Sequence, residues 1–200
     1  MMEISDNLKK VVKFWESLQK SKQPKCKSYG ILKDALGDPL LKAKLHFFAY
    51  IANMVEPYLT KFQTDKPMIP FMYYELKSVI QNLLEIIVKS SVLEESKNVP
   101  QKWKEIDLND EKNLIPAEKL KLGLAVENEI NCLKKRDLVT SREKNKFLSE
   151  VQDFLVAMIN KLFEKSPICS IFLKAASVLD PDVIFNNKKD DLVNRFRILL

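Results

Sequence analysis

Residues 38–76 read DPLLKAKLHFFAYIANMVEPYLTKFQTDKPMIPFMYYEL. Asp38 and Pro39 predict a helix start, because Asp caps helix N-termini and Pro suits the first helical position. Apolar residues are dense from 40 to 59, which predicts a long central helix with more than one buried stripe. Pro57 lies inside that pattern and predicts a kink, since proline removes a backbone donor.

A loop with two prolines follows this helix. Pro67 and Pro70 each fix φ and restrict the residue before them, so the loop is predicted to be stiff. Residues 71–88 then return to a helical period. The predicted inner face of this second buried helix comprises Leu76, Val79, Ile80, Leu83, Leu84 and Ile87.

Composition favours an all-α fold. The chain has 200 residues, of which 46% are hydrophobic and 30% are charged, a globular balance. It has three glycines, where average usage would give roughly fourteen, and tight hairpin turns depend on glycine. We predict an irregular array of about seven to eight helices with a kinked central helix. Residues 1–200 are predicted to form a single helical domain, with a basic helix and loop at 1–28 and a helical core at 29–200.

Other local signals place the remaining elements. Residues 102–108 alternate polar and apolar side chains, which predicts an extended coil. Thr140 and Glu143 have the spacing of a capping box, which predicts a helix start. The inner face of that helix is predicted to comprise Phe147, Val151, Phe154, Leu155, Met158, Ile159 and Leu162. Further helices are predicted at 6–20, 29–36, 116–135, 167–178 and 188–200.

The residue types that carry catalysis are sparse. His46 is the only histidine and lies in an apolar stretch, so a packed helix histidine is the favoured interpretation and a catalytic base the alternative. Cys26, Cys132 and Cys169 have no metal-binding spacing, which indicates buried free thiols in a reducing compartment. Three isolated glycines cannot form a phosphate-binding loop. We predict no catalytic, cofactor-binding or metal-binding residue and no cofactor.

Positive charge is concentrated near the N-terminus. The chain has a formal net charge of +6, and residues 1–34 contain eight lysines and four acidic residues. Such a segment attracts phosphate backbones, so it is a candidate DNA contact, although a solvated lysine-rich face is the alternative. The candidate residues are Lys9, Lys10, Lys13, Lys20, Lys22, Lys25 and Lys27. No apolar run is long enough to span a bilayer and no signal peptide is recognisable, so an intracellular protein without membrane contact is expected.

Two segments resemble a known family. Residues 38–45 read DPLLKAKL and residues 56–71 read EPYLTKFQTDKPMIPF. They resemble transposase-derived proteins of the hAT superfamily, in particular the domesticated zinc-finger-protein-like group, which read DPL-x-x-AKL-x-FF and then EPFLT-x-Q-TD-x-PM-x-PF. Residues 110–123 (DEKNLIPAEKLKLG) and 179–181 (LDP) resemble further markers of that family. The resemblance covers roughly residues 25–190, and QTDKPMIPF is its most specific part.

The resemblance implies a helical region within a larger plan. Such transposases combine a zinc finger with an RNase H-like domain whose acidic residues hold two divalent ions, and an all-helical insertion interrupts that domain. This chain resembles the insertion and lacks recognisable finger and acid-bearing segments, so no catalytic residue is carried over. The implied function is a non-catalytic helical fragment of a nuclear hAT-like protein, acting in DNA-bound assembly or in contacts with proteins or with itself. The alternative is a protein-interaction module without nucleic-acid binding.

Overall fold

The protein is all-α, as the sequence predicts. A computed structural model describes residues 2–17, 26–96, 99–186 and 189–200. Eleven α-helices and no β-strand occur in these residues, and Val88 and Leu114 form an isolated antiparallel bridge. The helices are α1 Met2–Ser17, α2 Lys27–Leu36, α3 Leu41–Phe62, α4 Ile69–Ile87, α5 Ser90–Glu95, α6 Pro100–Lys104, α7 Leu124–Lys135, α8 Ser141–Lys165, α9 Ile171–Ala176, α10 Pro181–Asn186 and α11 Lys189–Leu199.

The helix count exceeds the predicted seven to eight, because short helices occupy stretches predicted as coil. Residues 102–108 do not form an extended coil, since α6 begins at Pro100 and includes Trp103. Trp103 is buried, so the apolar position in the alternating pattern is a core contact of a short helix. Short periods of this kind do not distinguish a strand from a single helical turn.

The chain divides into two compact units. One unit comprises Met1–Ala52 and Leu122–Phe147, and the other comprises Asn53–Lys121 and Leu148–Leu200. The divisions fall within α3, between Lys121 and Leu122, and within α8. The predicted single domain over residues 1–200, with its boundary at 28/29, stays a prediction. The predicted kink does as well, although α3 continues through Pro57.

The first unit begins its long helix with a polar cap. The backbone N–H of Leu40 donates to Asp38 Oδ1 at 2.8 Å, and Lys44 Nζ pairs with Asp38 Oδ2 at 2.6 Å. Asp38 therefore caps the helix as predicted, although the regular helix begins at Leu41. The buried apolar residues of this unit come from α3, α7 and the segments next to them: Leu40, Ala43, Phe47, Ile51, Leu122, Val126, Ile130, Leu133, Val139 and Phe147.

Gly123 interrupts the single helix that was predicted over residues 116–135. A 3₁₀ turn occupies Ala117–Lys119, and α7 begins only at Leu124. Between them, Gly123 has φ +87° and ψ 150°, a region that is essentially restricted to glycine. A Cβ atom at this position would lie 3.1 Å from Cδ2 of Tyr50. The single helix predicted here is therefore wrong, because glycine turns the chain immediately before α7.

The second unit is built on the buried face of α4. All six residues predicted for this inner face are buried, and Tyr73 and Ile86 are buried with them. Helix α4 packs against α9 and the 3₁₀ turn Ser177–Leu179, and α11 packs against α9. Helix α8 contributes Val151, Leu155 and Ile159 to the core, whereas Phe154, which was also predicted for the inner face, is 39% exposed.

Arg195 joins three elements of the second unit. Its side chain is only 7% exposed, and its guanidinium donates to Tyr74 Oη at 3.0 Å, to Ser177 Oγ at 3.0 Å and to Asp191 Oδ2 at 2.5 Å. Burial alone would lower the pKa of Arg195, but the bonds to Tyr74 and Asp191 outweigh burial and raise it. Arg195 thus stays charged and connects α4, α11 and the 3₁₀ turn.

Two glycine substitutions should change stability in opposite directions. Gly123→Ala places a side chain in a glycine-only conformation and against Tyr50, so we expect a loss of about 1–3 kcal/mol in the free energy of unfolding. Gly30→Ala is the control, because it lies in α2 with no atom within 4 Å of the added Cβ. The free energy of unfolding of Gly30→Ala should rise by about 0.5–1 kcal/mol. Urea unfolding measures both, and equal effects would contradict the assigned Gly123 conformation.

Removing the Arg195 side chain should destabilise the protein. Arg195→Met leaves the buried Ser177 hydroxyl without its guanidinium partner, and a loss of about 1–3 kcal/mol is expected. The loss stays below that of a fully buried ion pair, because the Asp191 side chain is 46% exposed. Arg197→Met, on the exposed face of the same helix, should change stability by less than about 0.5 kcal/mol. Similar thermal or urea midpoints for the two variants would rule out the Arg195 contacts as stabilising.

Candidate nucleic-acid interface

The candidate lysines divide between two helices. Lys9, Lys10 and Lys13 are exposed on α1, and Lys27 is the exposed first residue of α2. Lys20, Lys22 and Lys25 lie outside the residues that the structure describes. Lys9 and Lys13 are four residues apart, so they share one face of α1, and Lys10 lies three residues from Lys13. The structure therefore brings three of the candidate cations together on one helix.

The spacing of these lysines has an electrostatic consequence. Like charges at i and i+4 of a helix destabilise it by about 0.2–0.5 kcal/mol in water. An anionic surface along α1 would relieve this repulsion, whereas solvent and salt only screen it. The arrangement on α1 is therefore compatible both with an anionic partner and with a solvated face.

A second group of cations, which the sequence analysis did not single out, surrounds the connection between α7 and α8. We call residues 134–146 the cationic turn; they include six lysines and arginines and two acidic residues. Its cations are Lys134, Lys135, Arg136, Arg142, Lys144 and Lys146. The charge run is visible in the sequence, but it belongs to two helices, so only the tertiary structure shows that a short turn brings its halves together.

The backbone of the cationic turn is well defined by hydrogen bonds. The N–H of Leu138 donates to the carbonyl of Leu133 at 3.1 Å, and Asp137 adopts a left-handed conformation with φ 54°. Leu133 and Val139 are buried on either side of this bend. Polar residues with short side chains tolerate the left-handed region, so Asp137 permits a tight return of the chain.

The predicted capping box is confirmed at the start of α8. The N–H of Thr140 donates to Glu143 Oε2 at 2.8 Å, and the Thr140 hydroxyl donates to the same oxygen at 2.7 Å. In return, the N–H of Glu143 donates to Thr140 Oγ1 at 3.2 Å. The backbone bond from Thr140, followed by its hydroxyl bond, lowers the pKa of Glu143. The carboxylate thus stabilises the helix start that carries Arg142 and Lys144.

Residues considered for catalysis do not form a cluster. His46 is 8% exposed, as predicted for a packed histidine, and its buried Nδ1 has no hydrogen-bond partner. Among the described residues, no group of three or more His, Cys, Asp or Glu side chains could hold a metal ion. The three cysteines are free, but Cys26 and Cys132 are exposed and Cys169 is half-buried, so the prediction of buried thiols is wrong. Cys26 lies at the start of α2, and Cys132 lies in the last turn of α7.

Comparisons with protein-family models, with curated proteins and with solved structures found no match for this chain. Within the residues that the structure describes, no helix combines the length and apolar character that a bilayer crossing requires.

The Glu143 carboxyl should titrate below its ordinary pKa of 4.5, because its ionised form accepts the Thr140 bonds. A group with a lowered pKa stabilises the fold at pH above its unfolded pKa, and this contribution is lost as the pH falls through the folded pKa. Thr140→Val removes the hydroxyl donor and should shift the midpoint towards 4.5 in a carboxyl NMR titration. Thr60→Val, at an exposed site in α3, should leave it unchanged. A Glu143 midpoint at or above 4.5 in the native protein would contradict the capping box in solution.

Proposed function

We propose that the chain is a non-catalytic helical fragment of a hAT-like DNA transposase, or of a protein derived from one, that acts in a nuclear DNA-bound assembly. The observation that carries the proposal is the shared exposure of Lys9, Lys10 and Lys13 on α1. Duplex DNA is bound largely through neutralisation of phosphates by such side chains. Lys27 at the start of α2 adds a further cation to the same basic segment.

The positions of the family-like segments support a scaffold role for them. Asp38 caps the first long helix, Ala43 and Phe47 are buried within it, and Pro70 lies in the first turn of α4. These side chains act in packing and in helix starts. The resemblance therefore bears on a helical framework, and the proposed DNA contact rests on the separate basic segment.

A second candidate function is a protein-interaction module without nucleic-acid contact. It is favoured by large apolar side chains that are exposed on the last three helices of the second unit. Phe172 on α9, Phe185 on α10 and Phe196 on α11 are all exposed, and Phe185 reaches 86%. Exposed apolar groups of this size are typical of surfaces that bind proteins or a second copy of the same chain.

Binding of the full chain to duplex DNA should be strong at low salt and should weaken steeply as salt rises. Each phosphate contact contributes about 0.9 to the slope of log affinity against log salt. The variant Lys9→Gln, Lys10→Gln, Lys13→Gln, Lys27→Gln should reduce both affinity and slope in fluorescence anisotropy. The control Lys102→Gln, Lys104→Gln, Lys119→Gln, Lys121→Gln removes the same charge from exposed sites elsewhere and should have a much smaller effect.

Two results would contradict the proposal. Undetectable DNA binding at low salt would favour the interaction module, which predicts binding of proteins or self-association through the exposed phenylalanines. Mg²⁺- or Mn²⁺-dependent cleavage of duplex or hairpin DNA by the purified chain would contradict a non-catalytic role, because strand transfer by two metal ions needs acidic ligands close together.

A further inference from the structure

We infer that the cationic turn between α7 and α8 is a second contact surface for the phosphate backbone of duplex DNA. This inference rests on the proposed DNA-binding function, but it concerns residues far along the chain from the N-terminal lysines. Lys134, Lys135, Arg136 and Arg142 are exposed, and Lys144 is half-buried. The turn therefore presents cations from the end of one helix and from the start of the next.

The turn has more cations than acids. None of these five cations makes a hydrogen bond or an ion pair through its side chain within the described part of the chain. Glu143 is occupied by the capping box, and the nearby Asp38 pairs with Lys44 at 2.6 Å. Asp137 is the remaining acid of the turn. The surface consequently has an excess of positive charge.

Helix stability accounts for Lys134 and Lys135 but not for Arg142 and Lys144. Lys134 and Lys135 lie in the last turn of α7, where cations interact favourably with the helix dipole. Arg142 and Lys144 lie in the first turn of α8, where the dipole disfavours cations by about 0.3–1 kcal/mol each. Cations at an unfavourable helix end, held without acidic partners, are accounted for by an anionic ligand that compensates the repulsion.

The turn is also preorganised. The Leu133 carbonyl, the left-handed Asp137 and the Thr140–Glu143 box hold the backbone from which the cations project. Binding therefore needs to order the ends of the side chains but not the loop itself. Less ordering on binding leaves more of the interaction free energy as affinity.

Duplex DNA fits this surface better than a single-stranded nucleic acid or a membrane. Residues 134–146 contain no aromatic side chain, whereas surfaces for single-stranded nucleic acids stack bases on aromatic rings. Membrane-binding segments combine cations with several apolar anchors, but here Leu138 is the one large apolar side chain that is exposed. Lysine and arginine side chains on a rigid backbone are typical of contacts to duplex phosphates.

The test compares matched variants of the full chain. In the turn variant, Lys134→Gln, Lys135→Gln, Arg142→Gln and Lys144→Gln are combined, and the control is the Lys102, Lys104, Lys119, Lys121 variant described above. Loss of one phosphate contact lowers affinity roughly eightfold at about 0.1 M salt. We expect the turn variant to bind a duplex at least about tenfold more weakly, with a shallower salt slope, and the control to change affinity less than about twofold.

A second measurement on the unmodified chain does not depend on folding of a variant. Duplex DNA should protect Lys134, Lys135 and Lys144 from acetylation, read by mass spectrometry, while Lys102 and Lys104 stay reactive. Absence of this protection under conditions of saturated binding overturns the inference. The inference is also overturned if the native chain binds phosphatidylserine-rich vesicles, the turn variant does not, and neither binds duplex DNA.

The outcomes separate this inference from the proposed function. If the N-terminal variant loses affinity while the turn variant binds like the control, DNA binding stands and the turn surface is wrong. If the turn variant alone loses affinity, the turn surface stands and the N-terminal lysines are not the contact. If the native chain does not bind DNA at low salt, both are wrong.

Discussion

The buried face of α4 is the constraint on which the second unit depends. Ile80, Leu83, Leu84 and Ile87 are fully inaccessible to solvent, and burial of each such side chain stabilises a fold by about 1.5–3 kcal/mol. Helix α9 packs on α4, and α11 packs on α9. Short helices like α9, with six residues, are unstable in isolation. Their helical conformation therefore depends on the apolar surface that α4 supplies.

Polar contacts specify the arrangement that this apolar packing stabilises. Apolar burial is non-directional, whereas the three side-chain bonds of Arg195 fix the positions of α4, α11 and the 3₁₀ turn between them. Lys77 of α4 lies near this centre, with its Nζ 6.0 Å from the centre of the Trp103 ring. Burial, followed by the charges of Lys174 and Arg195, lowers the pKa of Lys77. The charged form of Lys77 is thus disfavoured near Arg195, whereas the charge of Arg195 is stabilised by its bond to the Asp191 carboxylate.

The first unit uses its charges differently. Lys42 pairs with Glu129 at 2.5 Å and Lys44 with Asp38 at 2.6 Å, so the cations near the start of α3 are internally compensated. Lys134, Lys135, Arg136, Arg142 and Lys144 of the cationic turn have no such partners among the described residues. Exposed ion pairs add little stability, so the difference matters less for folding than for the electrostatic potential of the surface. A local excess of positive charge raises the rate and strength of association with polyanions.

The sequence by itself determined the all-α class, the buried face of α4, the Asp38 cap and the Thr140–Glu143 box, because periodicity and capping act over a few residues. It did not reveal α6, the interruption at Gly123 or the exposure of Phe154. Burial of Trp103 makes a short helix stable, and the Tyr50 ring beside Gly123 belongs to a helix more than seventy residues earlier in the chain. Within the candidate site, the lysines of α1 could be identified from the positive charge of residues 1–34 in the sequence. The charge run of the cationic turn is visible in the sequence, but only the folded connection between α7 and α8 shows that its two halves form one surface.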